Sequence, residues 1–354
     1  MKRVVWVAVI LVTLFSCNNA SDYYNPDSVV EKGRAVCADS MILGYGVSNR
    51  SSIAGLVCID DYLIILQENN DTLFRIIDVS TDSLLSSFGR IGHARDEFQG
   101  IPSTMYCSKD KSGQALLFIQ EAGHTKVINL SKSIAAHKCV LHETIKEKNY
   151  DFFTHTYHLG KGRTFAYKAL SYVDPREGVF FPPVYSLLDS EEETRWNIYP
   201  QIIRPSFQNI VDCAYDNVTM VSPDCHHAVS VNNFIDIITI FDLQAKHTTG
   251  IMNPDSYSFE YMEKVITQSN AEEKLRWYNT SVCVTNNSFL VIEDGDLYAK
   301  DKQNVGSVIR CYDWQGTMHF SRICNKRLSQ IAYFEQYRKL YAVEAYEKLY
   351  TYKL

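Results

Sequence analysis

Short apolar runs alternate with polar turns along most of the chain, and they come in pairs that resemble β-hairpins. The segment "YLIILQENNDTLFRIIDVSTDSLLSSFG" at 62–89 shows this most clearly, with two apolar strands separated by a turn rich in Asn and Asp. Similar segments occur at 115–135, 182–199, 227–251, 289–323 and 339–354. β-branched and aromatic residues in such runs, with Asn, Asp and Gly between them, are typical of antiparallel strands. The pattern predicts an all-β protein.

The polar residue that closes the second strand of each hairpin recurs at a regular spacing. These residues are Asp78, Asn129, Asp189, Asp242, Asp313 and Lys353, and the intervals between them average 55 residues. A repeat near 50 residues, with about four short strands in each, is typical of a β-propeller. Six such positions predict six blades.

The longest interval, between Asp242 and Asp313, contains a segment with helical instead of alternating spacing. Tyr261, Val265 and Leu275 stand there among charged residues. This spacing predicts a helix inserted between blades four and five, at about 256–278.

The chain ends at "LYTYKL", which would be only the third strand of blade six. A propeller must close its ring or leave an exposed strand edge. We therefore expect an N-terminal strand, supplied by Gly33–Leu43, to complete the last blade, so that the propeller occupies residues 33–354.

The first 17 residues have the features of an export signal. Lys2 and Arg3 precede an apolar run from Val4 to Phe15, which is too short to span a bilayer as a helix. The following polar segment, 18–32, suits a tether between a membrane and a folded domain. These features predict a signal peptide at 1–17, and the motif at its end decides which kind.

Leu14-Phe15-Ser16-Cys17 resembles the lipobox of bacterial lipoproteins. The resemblance implies that the thiol of Cys17 is lipidated and that this residue becomes the new N-terminus. It also implies an exported protein that is anchored in a membrane of the bacterial cell envelope, facing the periplasm or the surface. The alternative is a plain secretory signal with a coincidental cysteine.

Composition and motifs exclude several classes of function. The formal net charge is −6 and no long basic run occurs, so we expect no nucleic-acid partner. No G-x-S-x-G, H-E-x-x-H or Walker A motif is found, and nine cysteines beyond Cys17 form no C-x-x-C pair. We expect most of these cysteines to be buried apolar residues, although an exported protein can form one or two disulfides.

The glycine-rich segment "FGRIGHARDEFQG" at 88–100 allows two interpretations. In the structural one, its glycines, Glu97 and Phe98 shape a joint between two blades. In the functional one, Arg90, His93 and Arg95 present positive charge to an anionic ligand or an acidic protein surface.

A second candidate surface lies within 164–186, where Tyr172, Phe180 and Phe181 stand beside prolines. Aromatic residues also fill the spaces between propeller blades, but these three sit in a loop-like context that suits ligand contact. We predict no metal ligands, because the adjacent His226 and His227 would point to opposite faces of a strand.

The hairpin repeat, the lipobox and "FGRIGHARDEFQG" together resemble the TolB-like six-bladed β-propeller lipoproteins. Gly89, Arg90, Gly92, Glu97 and Phe98 match the inter-blade segment of that family. The fragment "SPDC" at 222–225 matches a turn of its blades, with Cys225 where glycine is usual. The resemblance implies the fold and the location, and it implies no specific activity.

We therefore expect a binding or interaction module, without a cofactor and not an enzyme, whose ligand is a glycan, a peptide or a partner protein. The alternative is a propeller hydrolase of the gluconolactonase class, with a divalent metal in the central channel. Such an enzyme needs three or four Asp, Glu or Asn side chains that converge at one end of the channel.

Overall fold

Six small antiparallel sheets are arranged as the blades of a six-bladed β-propeller. The computed structural model describes residues 24–32, 40–41, 47–48, 52–68, 72–102, 104–121, 123–147, 155–168, 171–174, 179–181, 183–190, 192–199, 202–203, 216–253, 276–297, 306–324, 326–344 and 346–353. The all-β, six-bladed prediction is confirmed.

Three short strands near the N-terminus join the outer edges of three blades. They are β1 (Ser28–Glu31), β2 (Ser40–Met41) and β3 (Val47–Ser48).

The first three blades each contain four strands in chain order, with the first strand at the centre of the propeller. Blade 1 comprises β4 (Ile53–Ile59), β5 (Tyr62–Gln67), β6 (Phe74–Asp78) and β7 (Ser83–Phe88). Blade 2 comprises β8 (Thr104–Lys109), β9 (Ala115–Glu121), β10 (His124–Asn129) and β11 (Leu141–Lys146), with helix α1 (Leu130–Ala136) before its last strand. Blade 3 comprises β12 (His155–Gly160), β13 (Arg163–Lys168), β16 (Val184–Leu188) and β17 (Glu193–Trp196), and a small extra sheet contains β14 (Ser171–Asp174), β15 (Val179–Phe181) and β18 (Ile202–Ile203).

A strand from the N-terminal segment is added at the outer edge of each of the last three blades. Blade 4 comprises β19 (Asn217–Val221), β20 (His227–Asn232), β21 (Ile237–Asp242) and β22 (His247–Met252), with β1 parallel to β22. Blade 5 comprises β23 (Arg276–Val284), β24 (Ser288–Leu297), β25 (Val308–Asp313) and β26 (Met318–Cys324), with β2 parallel to β26. Blade 6 comprises β27 (Leu328–Phe334), β28 (Lys339–Glu344) and β29 (Lys348–Lys353), with β3 antiparallel to β29 and a 3-10 turn at Glu335–Tyr337.

The ring is closed by an N-terminal strand, as expected, but by different residues. Val47–Ser48 pairs with Lys348–Leu349 and becomes the fourth strand of blade 6. Ser40–Met41, within the predicted donor segment, instead pairs with the outer strand of blade 5. The donor assignment to Gly33–Leu43 was therefore wrong, because the N-terminal segment passes blades 4 and 5 before it reaches blade 6.

The six polar residues that defined the repeat end the third strand of each blade or follow it directly. In the Asp and Asn residues of this set the side chain closes the next turn: Asp78 Oδ1 accepts hydrogen bonds from the amides of Ser80 and Thr81. Asp242 and Asp313 accept equivalent bonds from amides two to four residues further on. Asn129 does the same for the amide of Lys132, and so becomes the N-cap of α1.

The core lies between neighbouring blades and is filled largely by aromatic rings. Between blades 3 and 4, Phe165, Tyr185 and Phe241 have 0% exposure and ring centroids 4.6–6.1 Å apart. Full burial of one such side chain contributes about 1.5–3 kcal/mol. The aromatic content of the sequence is therefore used first for packing.

The N-terminal segment is attached to the propeller by buried contacts. Of the expected tether, 18–32, residues 24–32 lie against blade 4, where Tyr24 is 5% exposed and its hydroxyl hydrogen-bonds Thr239 at 2.7 Å. Lys32 is buried beside Asp236 and Glu293. Within the described ranges, no helix is long and apolar enough to cross a membrane.

Two expectations fall partly or wholly on residues outside the described ranges. The predicted helix at 256–278 lies outside them up to residue 275, and the described part, from Arg276, begins strand β23. The signal peptide at 1–17, with Cys17, also lies outside the described residues.

Candidate functional site

A cavity of about 320 Å³ lies on the propeller axis, and the innermost strands of all six blades line it. Its polar side chains are uncharged hydroxyl and amide groups and one imidazole. They come from Thr104, His155, Asn217, Thr219, Thr280, Ser281 and Gln330. Tyr157, Met105 and several aliphatic side chains supply the apolar part of the wall. The described wall therefore contains no carboxylate, lysine or arginine.

The imidazole of His155 stands at the start of β12, where it is held on two sides. Its Nδ1 hydrogen-bonds the hydroxyl of Thr104, at the start of β8 in the neighbouring blade. Its ring stacks on Tyr167, with centroids 5.8 Å apart and planes at 10°. Burial lowers the pKa of His155, because the charged imidazolium loses its hydration. At neutral pH this wall of the cavity is therefore uncharged.

The hydroxyl of Thr280, in the cavity wall, has no hydrogen-bond partner among the described residues. The same holds for Oδ1 of the preceding residue, Asn279, which is not among the residues that line the cavity. The amide group of Asn279 donates to the carbonyl of Asn232 at 2.9 Å, so its orientation is fixed. A buried polar atom without a partner costs free energy, and a bound ligand or water would relieve that cost.

A second cavity, of about 420 Å³, opens at the other end of the axis. It is lined by residues at the ends of the innermost strands and in the turns after them, including Asp60, Lys109 and Glu335. Lys109 Nζ lies 2.6 Å from Asp60 Oδ1. The two ends of the channel therefore differ in charge: the first is neutral and the second carries ionic groups.

The loop at 88–100 folds back on itself between β7 and β8. The amide of Gly92 donates to the carbonyl of Phe98, and the amide of Phe98 donates to the carbonyl of Arg90, each at 2.8 Å. Glu97 Oε2 accepts the amide of Ala94 at 2.9 Å. The ring of Phe98 is fully buried against Phe74, with centroids 5.3 Å apart. These contacts match the structural interpretation, in which the loop is a joint between blades 1 and 2.

Arg90, His93 and Arg95 lie on the exposed side of this loop. No described residue forms an ion pair or a hydrogen bond with their side chains. They stay predictions for an anionic ligand or partner.

Tyr172, Phe180 and Phe181 belong to the small extra sheet of blade 3. Tyr172 pairs with Phe180 across the β14–β15 hairpin, and Ser171 pairs with Phe181. The pairing of the two strands places the backbones of these residues side by side. Their role in ligand contact stays a prediction.

Cys225 lies in a tight turn with a left-handed backbone. Its φ is +61°, in the left-handed region that glycine adopts most easily. Its amide donates to the carbonyl of Ser222 at 2.8 Å, and Asp224 accepts the amide of His226 at 3.0 Å. The next residue, His227, stacks on Trp314 with centroids 4.9 Å apart.

Sequence reasoning missed the residues of the axial cavity. His155, Asn217 and Gln330 stand near the start of the first strand of their blades. Their position in the repeat could have identified them as residues of the axis, since the first strand of every propeller blade faces the axis.

The fold and this cavity define a six-bladed β-propeller with a polar site on its axis. The solved structures similar to the chain include a member of the DUF4221 family from Bacteroides vulgatus, with a TM-score of 0.52 and 11% identity over 90% of this chain and 97% of that one. A luciferin-regenerating enzyme is also similar, with a TM-score of 0.45 and 9% identity over 86% of this chain and 92% of that one. No family model and no curated protein matches the chain. At these identities the likeness concerns the fold.

Proposed function

We propose that this chain is an exported, lipid-anchored binding protein that holds an uncharged polar ligand, a glycan or a peptide, in the axial cavity. The observation that carries the proposal is the wall of this cavity, to which five of the six blades contribute neutral hydrogen-bonding side chains and blade 1 contributes apolar ones. Cavities with a few placed polar groups on an apolar wall are the usual sites for small ligands.

The chemistry of the wall selects among ligands. Hydroxyl and amide groups can both donate and accept hydrogen bonds, so they suit sugar hydroxyls and peptide groups. A charged ligand would meet no opposite charge there, and it would lose its hydration without compensation. The Thr280 hydroxyl, which has no partner among the described residues, is the group that a ligand would satisfy first.

The binding proposal is tested with the purified protein and a panel of neutral mono- and oligosaccharides and short peptides. Thermal shift identifies binders, and calorimetry measures their dissociation constants. For a ligand found in this way, Thr280→Val should weaken binding about tenfold, since one lost hydrogen bond is worth about 1–1.5 kcal/mol. Thr144→Val, on the exposed face of β11, is the matched control and should bind like the wild type. Equal affinity of the wild type and Thr280→Val would place the ligand elsewhere.

The hydrolase alternative is tested by an activity assay on the same purified protein. It requires three or four converging Asp, Glu or Asn side chains, and Asn217 is the one residue of this type in the described wall. Lactone hydrolysis that appears on addition of Ca²⁺ or Zn²⁺ and is lost with Asn217→Ala would replace the binding proposal.

The anchor is a separate part of the proposal. It rests on the lipobox-like segment that ends at Cys17. Growth of cells with an alkyne-tagged fatty acid should label the wild type and leave Cys17→Ala unlabelled. Label retained in Cys17→Ala would remove the lipoprotein assignment and leave the binding proposal intact.

A further inference from the structure

The wall of the axial cavity has two chemically different sides. Blade 1 contributes residues without polar side chains to the described wall, and these are Ala54, Gly55, Leu56, Val57 and Leu66. Blade 2 adds Pro102 and Met105, and the hydroxyl of its Thr104 is already bonded to His155. Blades 1 and 2 therefore form one continuous side, which we call the apolar side.

Met105 connects the two blades of the apolar side. A Cβ at Gly55 would lie 3.4 Å from Cε of Met105, so the methyl group of this methionine covers the glycine. The backbone edges of the innermost strands face the channel in all six blades, so the two sides of the cavity differ through their side chains. A ligand hydroxyl placed on the apolar side would therefore meet side chains that form weak hydrogen bonds or none.

The polar groups of the cavity lie across the axis from the apolar side. In a ring of six blades, blade 4 is opposite blade 1 and blade 5 is opposite blade 2. The polar side chains of blades 4 and 5 are those of Asn217, Thr219, Thr280 and Ser281, with apolar side chains of the same strands between them. The Thr280 hydroxyl has no partner among the described residues. A ligand that fills the cavity must therefore be apolar at one edge and rich in hydrogen-bonding groups at the other.

We propose that the neutral ligand of the axial cavity is a 6-deoxyhexose, with its methyl group against blades 1 and 2 and its ring hydroxyls toward blades 4 and 5. This inference rests on the proposed binding function and narrows it to one class of sugar. The cavity of about 320 Å³ has the volume of about ten water molecules, which restricts the bound part of the ligand to a small unit.

The methyl group is what distinguishes this class from other neutral sugars. In a 6-deoxyhexose it replaces the hydroxymethyl group of an ordinary hexose, so one edge of the sugar is apolar. A hexose in the same orientation would bury its 6-hydroxyl against the apolar side, and the lost hydration of that hydroxyl would not be replaced. A peptide suits the wall less well, because its charged ends would meet no opposite charge there.

The test uses pairs of sugars that differ only in the 6-hydroxyl. They are the methyl glycosides of L-fucose and L-galactose, and those of L-rhamnose and L-mannose. Calorimetry with the purified wild type should give, for at least one pair, a dissociation constant at least about tenfold lower for the deoxy sugar, as expected when an apolar surface meets an added hydroxyl.

Two variants test whether the apolar side causes this preference. Ala54→Ser and Met105→Gln each add a polar group to it, one in each blade, and at least one of them should lower the preference to about threefold or less. Ala135→Ser, on the exposed face of α1, is the matched control and should keep the preference of the wild type. A preference that persists in both Ala54→Ser and Met105→Gln would overturn the assignment of the methyl group to this side.

The comparison of sugars in the wild type does not depend on the folding of the variants. Equal affinity within each pair, tighter binding of the hexoses, or binding of neither pair would overturn this inference. The proposed function would survive such a result if another neutral ligand bound and Thr280→Val weakened its binding. Failure of every neutral ligand to bind would remove both.

Discussion

Gly89 and Gly92 hold the joint between blades 1 and 2 in a shape that a side chain would disturb. Gly89 has a φ of +85°, and a Cβ there would lie 2.7 Å from Cδ2 of Phe74. A Cβ at Gly92 would lie 2.1 Å from Glu97 Oε2 and would displace the carboxylate that accepts the amide of Ala94. The glycines of this loop are therefore set by packing, independently of any ligand.

Gly89→Ala should lower the free energy of unfolding by about 2–4 kcal/mol, from the left-handed backbone and the clash with Phe74 together. Gly100→Ala is the matched control in the same loop, because a Cβ there would meet nothing within 4 Å. Its effect should stay within about 0.5 kcal/mol. Denaturation with urea measures both, and equal stability of the two variants would contradict this account of the loop.

His155 gives the protein a pH dependence of known sign. Burial lowers its pKa in the folded state, so the unfolded chain takes up the proton at a higher pH than the folded one. The contribution of His155 to stability is present above about pH 6.5 and is lost as the pH falls below it, at up to about 1.4 kcal/mol per pH unit. The pKa of Glu147 is lowered from 4.5, so its contribution is lost only at more acidic pH.

Urea denaturation at about pH 7.5 and pH 5.5 tests this sign, with the window set by the ordinary histidine pKa. The wild type should lose stability between the two values, and His155→Gln should lose less. His93→Gln, at an exposed position, should behave like the wild type. An identical loss in His155→Gln would show that this imidazole does not titrate as described.

At the scale of single elements, the strands and turns of the blades could be read from the sequence. Asp78, Asp242 and Asp313 each close a third strand because an aspartate that accepts nearby amides is a local turn signal. The strand that completes blade 6 could not be located in this way. Val47–Ser48 is only two residues long, and its partner Lys348–Leu349 is about 300 residues away, so the pairing depends on the whole ring.

Lys32 fixes the N-terminal segment to blades 4 and 5 through a buried ionic cluster. It contacts Asp236 and lies 3.3 Å from Glu293, which Arg310 also contacts. Lys32→Met would leave the buried Asp236 and the partly buried Glu293 with one cation, Arg310, and should destabilise the fold by about 3–5 kcal/mol. Lys132→Met, on the exposed face of α1, is the control and should change stability by less than about 0.5 kcal/mol. Thermal and urea unfolding measure both; a small effect of Lys32→Met would mean that the cluster does not hold the segment.

At the scale of the whole molecule, the repeat predicted the architecture and left the binding site undetermined. Successive blades are about 50 residues apart in the chain, and a cavity on the axis takes residues from each of them. Thr104, His155 and Thr280 carry no shared motif, so their convergence appears only once the ring is closed. The exposed arginines of the loop at 88–100 were easier to see in the sequence, because they stand together.

If the ligand binds in the axial cavity or at the loop 88–100, it will lie at different positions in a crystal structure of the complex. The complex to solve is that with the tightest neutral ligand found by the thermal-shift panel. We predict ligand density in the cavity of about 320 Å³, within hydrogen-bond distance of the Thr280 hydroxyl and the side chain of Gln330 or Asn217. Density at Arg90, His93 and Arg95, with an empty axial cavity, would contradict the central claim.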